Sequence, residues 1–307
     1  MIAAHADWSA HPAKRWIALS CRDSGWRMAA PRLVGDTARL LPDLLRSGAP
    51  VVLGLDLPLG VPRGWAEGRG EPDFPAFLAG LTRDPGFFEV SPSLATVSAA
   101  RPFYPARGVK GMTRAAHAAA LGLADARALS RHCDRATTLR PAGAPVFWTL
   151  GANQSGKAAI AAWRDWIVPA LTVQAPISLW PFSGGLHALI APGHAVLAEV
   201  YPAEALRQLG LKLAGSKRAQ APRRAMAEAL RAVMGRLGVL PEADLAALIA
   251  DGFGADAAGE DRLDCVLGLL AMIAVIDGAQ PDFVPDDPWI TCWEGWVLGQ
   301  TELPRED

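Results

Sequence analysis

The segment APVVLGLDLPLG, residues 49–60, constrains this chain more than any other. Its apolar residues run without alternation, as expected of a strand buried on both faces of an α/β sheet. One charge interrupts the run, Asp56. Aspartate is depleted in strands, so Asp56 marks the end of this one. A carboxylate at the C-terminal end of such a strand points into the crevice where open α/β sheets bind ligands.

Other acids sit comparably. Asp7 follows the apolar start in AAHADWS, and Glu199 closes AVLAEVYP. EDRLD, holding Glu260, Asp261 and Asp264, opens the apolar helix CVLGLLAMIAVI. Asp261 and Asp264 are spaced i,i+3 and share a helix face. Acids at a helix N-terminus also serve as ordinary caps that favour the helix dipole, and ADWS is compatible with an Asx-turn. Several carboxylates converging in one crevice repel one another unless a cation lies among them. The expected site is therefore a divalent-metal centre. Mg²⁺ takes oxygen ligands and keeps waters, so no His/Cys cluster is required. Two-metal phosphodiester hydrolysis needs carboxylates from several elements, because ions about 3.5–4 Å apart share a bridging ligand.

The elements around these acids read as βββαβ. IAAHADW, RWIALSC and GWRMAAPRLV are three strands, with Gly25 and Gly35 as punctuation. DTARLLPDLLRSG is a helix, capped by Asp36 and ended at Gly48. The buried strand ending at Asp56 follows. Residues 63–193 read as a large helical, Pro/Gly-rich insertion, with a helical stretch near 113–135 and a strand, Gly turn and helix in APVFWTLGANQSGKAAIAAWRDWIVPAL. The regular pattern resumes as strand and helix in HAVLAEVYPAEALRQLG, then a basic helix near 217–237, PEADLAALIADG, the long helix after EDRLD and a Trp-rich tail over 279–307. The expectation is a single domain with its core over about 1–62 and 194–278.

As an ordered set these segments resemble the RNase H-like superfold of RNases H, Holliday-junction resolvases and retroviral integrases. GLDLPLG, AEVYPAEALRQLG, a basic helix and EDRLDCVLGLLA look more closely like a prokaryotic family of predicted RNase H-fold nucleases. That family carries motifs of the form D-x-P-x-G, E-V-x-P and D-x-x-D-A. The resemblance spans roughly residues 1–62 and 194–278. It implies a βββαβαβα-type mixed sheet with helices on both faces and metal ligation at Asp7, Asp56, Glu199 and Asp261 or Asp264. Two departures stand out: DWSAH follows the first acid in place of a Gly-containing turn, and Cys265 stands where Ala is usual.

Net charge is −1, but residues 212–236 hold seven Lys/Arg against Glu228 alone. Lys217, Arg218, Arg223 and Arg224 are thus candidates for holding a substrate phosphate, with a solvated helix face as the plain alternative. GANQSGKA fits G-x-x-x-x-G-K, which makes Lys157 a further candidate, although Ala158 replaces the hydroxyl that Mg²⁺ coordination needs. The tryptophans could stack on bases, but in so apolar a chain core packing accounts for most. His5, near Asp7, could assist a water or be a hydrogen-bonded structural residue. G-x-S-x-G and HExxH are both absent.

The cysteines (Cys21, Cys133, Cys265, Cys292) are far apart and form no CxxC pair, which disfavours zinc-knuckle and disulfide frameworks. The start lacks a basic region leading into a long apolar stretch, and charge, Gly or Pro interrupts every apolar run before a span of roughly 18–20 residues. A cytoplasmic protein without a membrane segment is expected. The leading expectation is a Mg²⁺- or Mn²⁺-dependent nuclease or phosphoesterase acting on nucleic acid or another phosphodiester. Its catalytic acids would be Asp7, Asp56, Glu199 and Asp264, with Asp7 bridging the ions. The alternatives are an actin- or sugar-kinase-type phosphotransferase or ATPase, and a non-catalytic nucleic-acid-binding protein.

Overall fold

The computed structural model describes residues 1–151 and 155–305. The chain is α/β, and its described residues form eight strands: β1 (Ile2–Asp7), β2 (Trp16–Arg22), β3 (Trp26–Met28), β4 (Arg32–Leu33), β5 (Val51–Leu55), β6 (Ile177–Leu179), β7 (Ala195–Glu199) and β8 (Val239–Pro241). It divides into two compact units. The first comprises 1–56, 185–283 and 297–300; the second comprises 57–184, 284–296 and 301–307.

The first unit is built on a mixed sheet in the order β7-β5-β1-β2-β3-β8, with β4 also on β2. β1 and β2 are antiparallel, as are β2 and β3, whereas β5 runs parallel to β1 and β7 parallel to β5. All five residues of β5 and all five of β7 are buried, as their unbroken apolar sequences require. The Thr37–Leu45 helix starts where Asp36 accepts from the Ala38 amide at 3.0 Å. The Gly259–Ile276 helix packs across β1 and β2, and almost all of it from Leu263 onward is buried. Its apolar residues surround the axis because the sheet and the Pro202–Gln208 helix both cover it.

Four local expectations change. GWRMAAPRLV is not one strand: β3 pairs with Ser20–Arg22, and β4 pairs separately with Trp16 and Ile17. Pro31, which lacks an amide donor, lies in the break. The basic helix is two shorter ones, Gln220–Ala225 and Ala227–Arg236, with Lys217 and Arg218 in the turn before them. The stretch near 113–135 is one helix, Arg114–Ala120, followed by 3₁₀ turns. VFWTL forms no strand and makes one isolated bridge, Trp148 to Tyr104.

The second unit has its own core, an edge-to-face aromatic cluster. Trp65 meets Phe77 and Phe147 at centroid distances of 5.3 and 5.2 Å, and Phe103 meets Phe147 at 5.3 Å. Buried Arg131 binds Asp134 through two 2.9 Å hydrogen bonds. The Glu294 carboxylate accepts from the amides of Arg63 and His132 at 3.0 and 3.1 Å. Among the described residues, no helix is long and apolar enough to cross a membrane, and all four cysteines are free thiols.

Candidate functional site

Strand register brings two of the sequence-selected acids side by side. His5 pairs with Gly54 and Ala6 with Leu55 across the parallel β1/β5 ladder, and the Asp56 amide donates to the Ala6 carbonyl at 3.0 Å. A Cβ on Gly54 would meet Met272 of the long helix, so this position faces that helix. Side chains two residues apart share a face. Asp7 and Asp56, two residues beyond His5 and Gly54, therefore leave adjacent strand ends on the helix side. The long helix supplies the third acid, Asp264, from its second turn.

The helix is seated by a notch. A Cβ at Gly268 would collide with the His5 ring, whose Nε2 lies 3.3 Å from the Val200 carbonyl. Burial pushes the His5 pKa down to about 4, so the ring is neutral. This imidazole is a packing element rather than a proton carrier near pH 7. The loop after Asp7 is also tied down. Buried Arg15 donates to the Ser9 carbonyl at 2.8 Å and to Thr37 Oγ1 at 2.9 Å, and its guanidinium lies 4.7 Å from the Trp8 ring centroid.

The three acids perturb one another. Burial, then the charges of Asp56, Asp264 and Asp261, hold the Asp7 carboxyl well above the usual range. Burial and Asp264 raise Asp56 to about 7, partly offset by Lys217, with a further contribution from Glu199. Asp264 is raised to about 6 by burial, against the pull of Lys217. Mutually elevated carboxyls at strand ends mark a place that retains protons or takes a cation. Asp261, one turn before Asp264, is half-buried and raised by burial and by Glu260.

Lys217 is the local cation. Its Nζ donates to Asp264 Oδ2 at 2.6 Å and lies 3.7 Å from Glu260 Oε1. The other Asp264 oxygen, Oδ1, is buried and has no hydrogen-bond partner. An orphaned carboxylate oxygen beside two further acids suits an oxygen-preferring divalent ion. Among the described residues, Asp7, Asp56 and Asp264 do not present three oxygens within 4.8 Å of one another. An ion held by all three therefore requires side-chain rotation.

The remaining sequence-selected residues separate. Glu199 is fully buried at the end of β7, but it pairs with Leu55, one residue before Asp56. Strand alternation therefore sends its side chain to the opposite face from Asp7 and Asp56. Arg223 is almost fully buried and donates to the carbonyls of Gly252, Lys217 and Gly254, so it holds loops and is not a surface cation for phosphate. Arg224 bonds Asp251 at 2.9 Å, and exposed Arg218 reaches Glu260 at 3.7 Å. Lys157 lies in the second unit, at the start of the Gly156–Ala162 helix. Residues 152–154 of its Gly-rich loop lie outside the described residues. Because no strand precedes that loop, the strand–loop–helix frame of a nucleotide-binding loop is missing.

Sequence reasoning did not single out the His5–Gly268 notch or Lys217's pairing with Asp264. A glycine inside an apolar helix was the available signal for the first. Comparison with family models, curated proteins and solved structures finds no match.

Proposed function

We propose that this chain is a divalent-metal-dependent phosphodiester hydrolase with an RNase H-like core, acting on nucleic acid. The carrying observation is the juxtaposition of Asp7 and Asp56 at adjacent parallel strand ends, with Asp264 close enough for its charge to raise both and its Oδ1 left without a hydrogen-bond partner. The fold reading draws support from three antiparallel strands, β1 to β3, followed by β5 and β7 in parallel on the far side of β1. That is the strand arrangement expected of the superfold the sequence resembles.

In this reading Asp7, Asp56 and Asp264 hold Mg²⁺ or Mn²⁺, and Asp261 contributes from the preceding turn. Bound there, the metal supplies Lewis-acid polarisation of a phosphoryl oxygen and a more acidic water. The protein's own share is positional. The sheet holds two carboxylates in register, the His5–Gly268 notch sets the depth of the third, and burial keeps all three proton-hungry until a cation arrives. Exposed Arg218 and the turn carrying Lys217 supply positive charge beside the cluster for a phosphate. Glu199, fully buried behind the sheet, tunes Asp56 through its charge.

Incubation with end-labelled DNA and RNA in Mn²⁺ tests the proposal. Cleavage is expected, and Asp7→Asn or Asp56→Asn should each lower its rate by about two orders of magnitude or more. Cleavage that survives Asp56→Asn would remove the site assignment. Absence of cleavage on single-stranded, duplex and branched substrates would remove the activity.

A further inference from the structure

Lys217 answers a question that the acidic cluster poses: what balances it when no divalent ion is bound? The Lys217 ammonium reaches Asp264 Oδ2 at 2.6 Å and Glu260 Oε1 at 3.7 Å. The ammonium satisfies one oxygen of Asp264 and leaves the other without a partner. Its backbone is fixed separately, because the Arg223 guanidinium takes the Lys217 carbonyl. Four methylenes separate that anchored backbone from the charge, so the ammonium can relocate while the loop stays in place.

We propose that Lys217 is a resident counter-ion of the carboxylate cluster, displaced from Asp264 when a divalent metal binds and then free to face the substrate phosphate. The proposal rests on the metal-site reading above. It assigns Lys217 two successive partners, a carboxylate and then a phosphate. A single ammonium cannot neutralise three carboxylates, whereas a divalent ion brings twice the charge and several coordination positions. Exchange also frees Oδ2, so that Asp264 can offer an ion both carboxylate oxygens rather than the unpartnered Oδ1 alone. Lys217 and exposed Arg218 each reach the Glu260 carboxylate at 3.7 Å, so the released ammonium has a second cation beside it.

Two measurements test the exchange without relying on turnover. Free Mn²⁺ is titrated by electron paramagnetic resonance against the wild-type protein, Lys217→Gln and Asp56→Asn. In parallel, acylation of each lysine in the wild-type protein is followed by mass spectrometry with and without Mn²⁺. Lys217→Gln should bind Mn²⁺ about tenfold more tightly than wild type, because a competing cation is gone. Mn²⁺ should raise the acylation rate of Lys217 several-fold and leave exposed Lys110, in the second unit, unchanged. Equal Mn²⁺ affinity in wild type and Lys217→Gln, with Lys217 acylation unaffected by the metal, overturns the exchange and leaves the metal site standing. Wild type that binds no Mn²⁺, or binds it no better than Asp56→Asn, overturns the metal site and the exchange with it. Should Lys217→Gln fail to fold, acylation of the wild-type protein still decides.

Discussion

The ring of His5 occupies the space that a side chain at Gly268 would need. This contact between the second strand-face position of β1 and the middle of the long helix decides how closely the helix approaches the sheet. Asp264 lies one turn before Gly268 on the same helix, so the notch also determines where Asp264 stands relative to Asp7.

Gly268→Ala should therefore destabilise the protein. At an exposed helix position this change is favourable by about 1 kcal/mol. Here the added methyl meets an immobile ring, and overpacking of this kind costs about 1–3 kcal/mol. Urea denaturation monitored by tryptophan fluorescence reads the sign, and a stabilised variant would disprove the close approach.

The acid cluster predicts a particular pH dependence in EDTA. Asp56 at about 7 and Asp264 at about 6 lie above their unfolded values, so the folded state binds more protons than the unfolded state through this range. These carboxyls therefore remove stability as pH rises from about 4 to about 7, opposed in part by His5, whose folded pKa of about 4 lies below the ordinary imidazole value, and Asp7 continues the loss at higher pH. Asp56→Asn removes a charge that the fold opposes. It should raise the metal-free melting temperature at pH 8 by a few degrees and blunt the pH slope, as thermal melts across that range will read. Mn²⁺ should do the same for wild type.

The basic residues should divide sharply by environment. Arg223→Ala leaves the Gly252, Gly254 and Lys217 carbonyls without their donor and should cost roughly 2–4 kcal/mol. Arg218→Ala, on an exposed side chain, should change stability by less than about 0.5 kcal/mol and, on the proposed function, should weaken nucleic-acid binding and reduce its salt dependence. Chemical denaturation paired with filter-binding titrations at several salt concentrations separates the two roles.

Glu199→Gln tests the division of faces. If Glu199 acts on Asp56 only by its charge, the variant keeps Mn²⁺ binding within a few-fold of wild type and lowers the Asp56 pKa, readable by carboxyl ¹³C chemical shifts. Loss of Mn²⁺ binding comparable with that of Asp56→Asn would return Glu199 to the ligand set.

Much of the first unit was legible because its signals are local. Strand β5 announces itself as an unbroken apolar run, the Thr37–Leu45 helix by its Asp36 cap, and the long helix by its length. Strands β3 and β4 were harder. GWRMAAPRLV carries strand propensity throughout, and only pairing with β2 shows where it divides. Strand β8 is three residues long and is held by pairing with β3, so no pattern of its own marks it. VFWTL looked like a strand because buried aromatics and β-branched residues suit any dry interior.

The site divides along the same line. Apolar runs ending in Asp56 and Glu199, and an i,i+3 acid pair opening a helix, are properties of the sequence alone, since each depends on residues within a few positions. Which acids share a face depends on two parallel registers between segments distant in sequence: that of β1 with β5 joins Asp56 to Asp7, and that of β5 with β7 turns Glu199 away. Likewise, whether a basic residue faces solvent, a carboxylate or a backbone carbonyl depends on loops distant in sequence. Lys217 and Arg223 look alike in the chain, but only the folded structure separates a counter-ion from a clamp. Burial and strand parity arise when distant segments pack, and they decide what each charge can do.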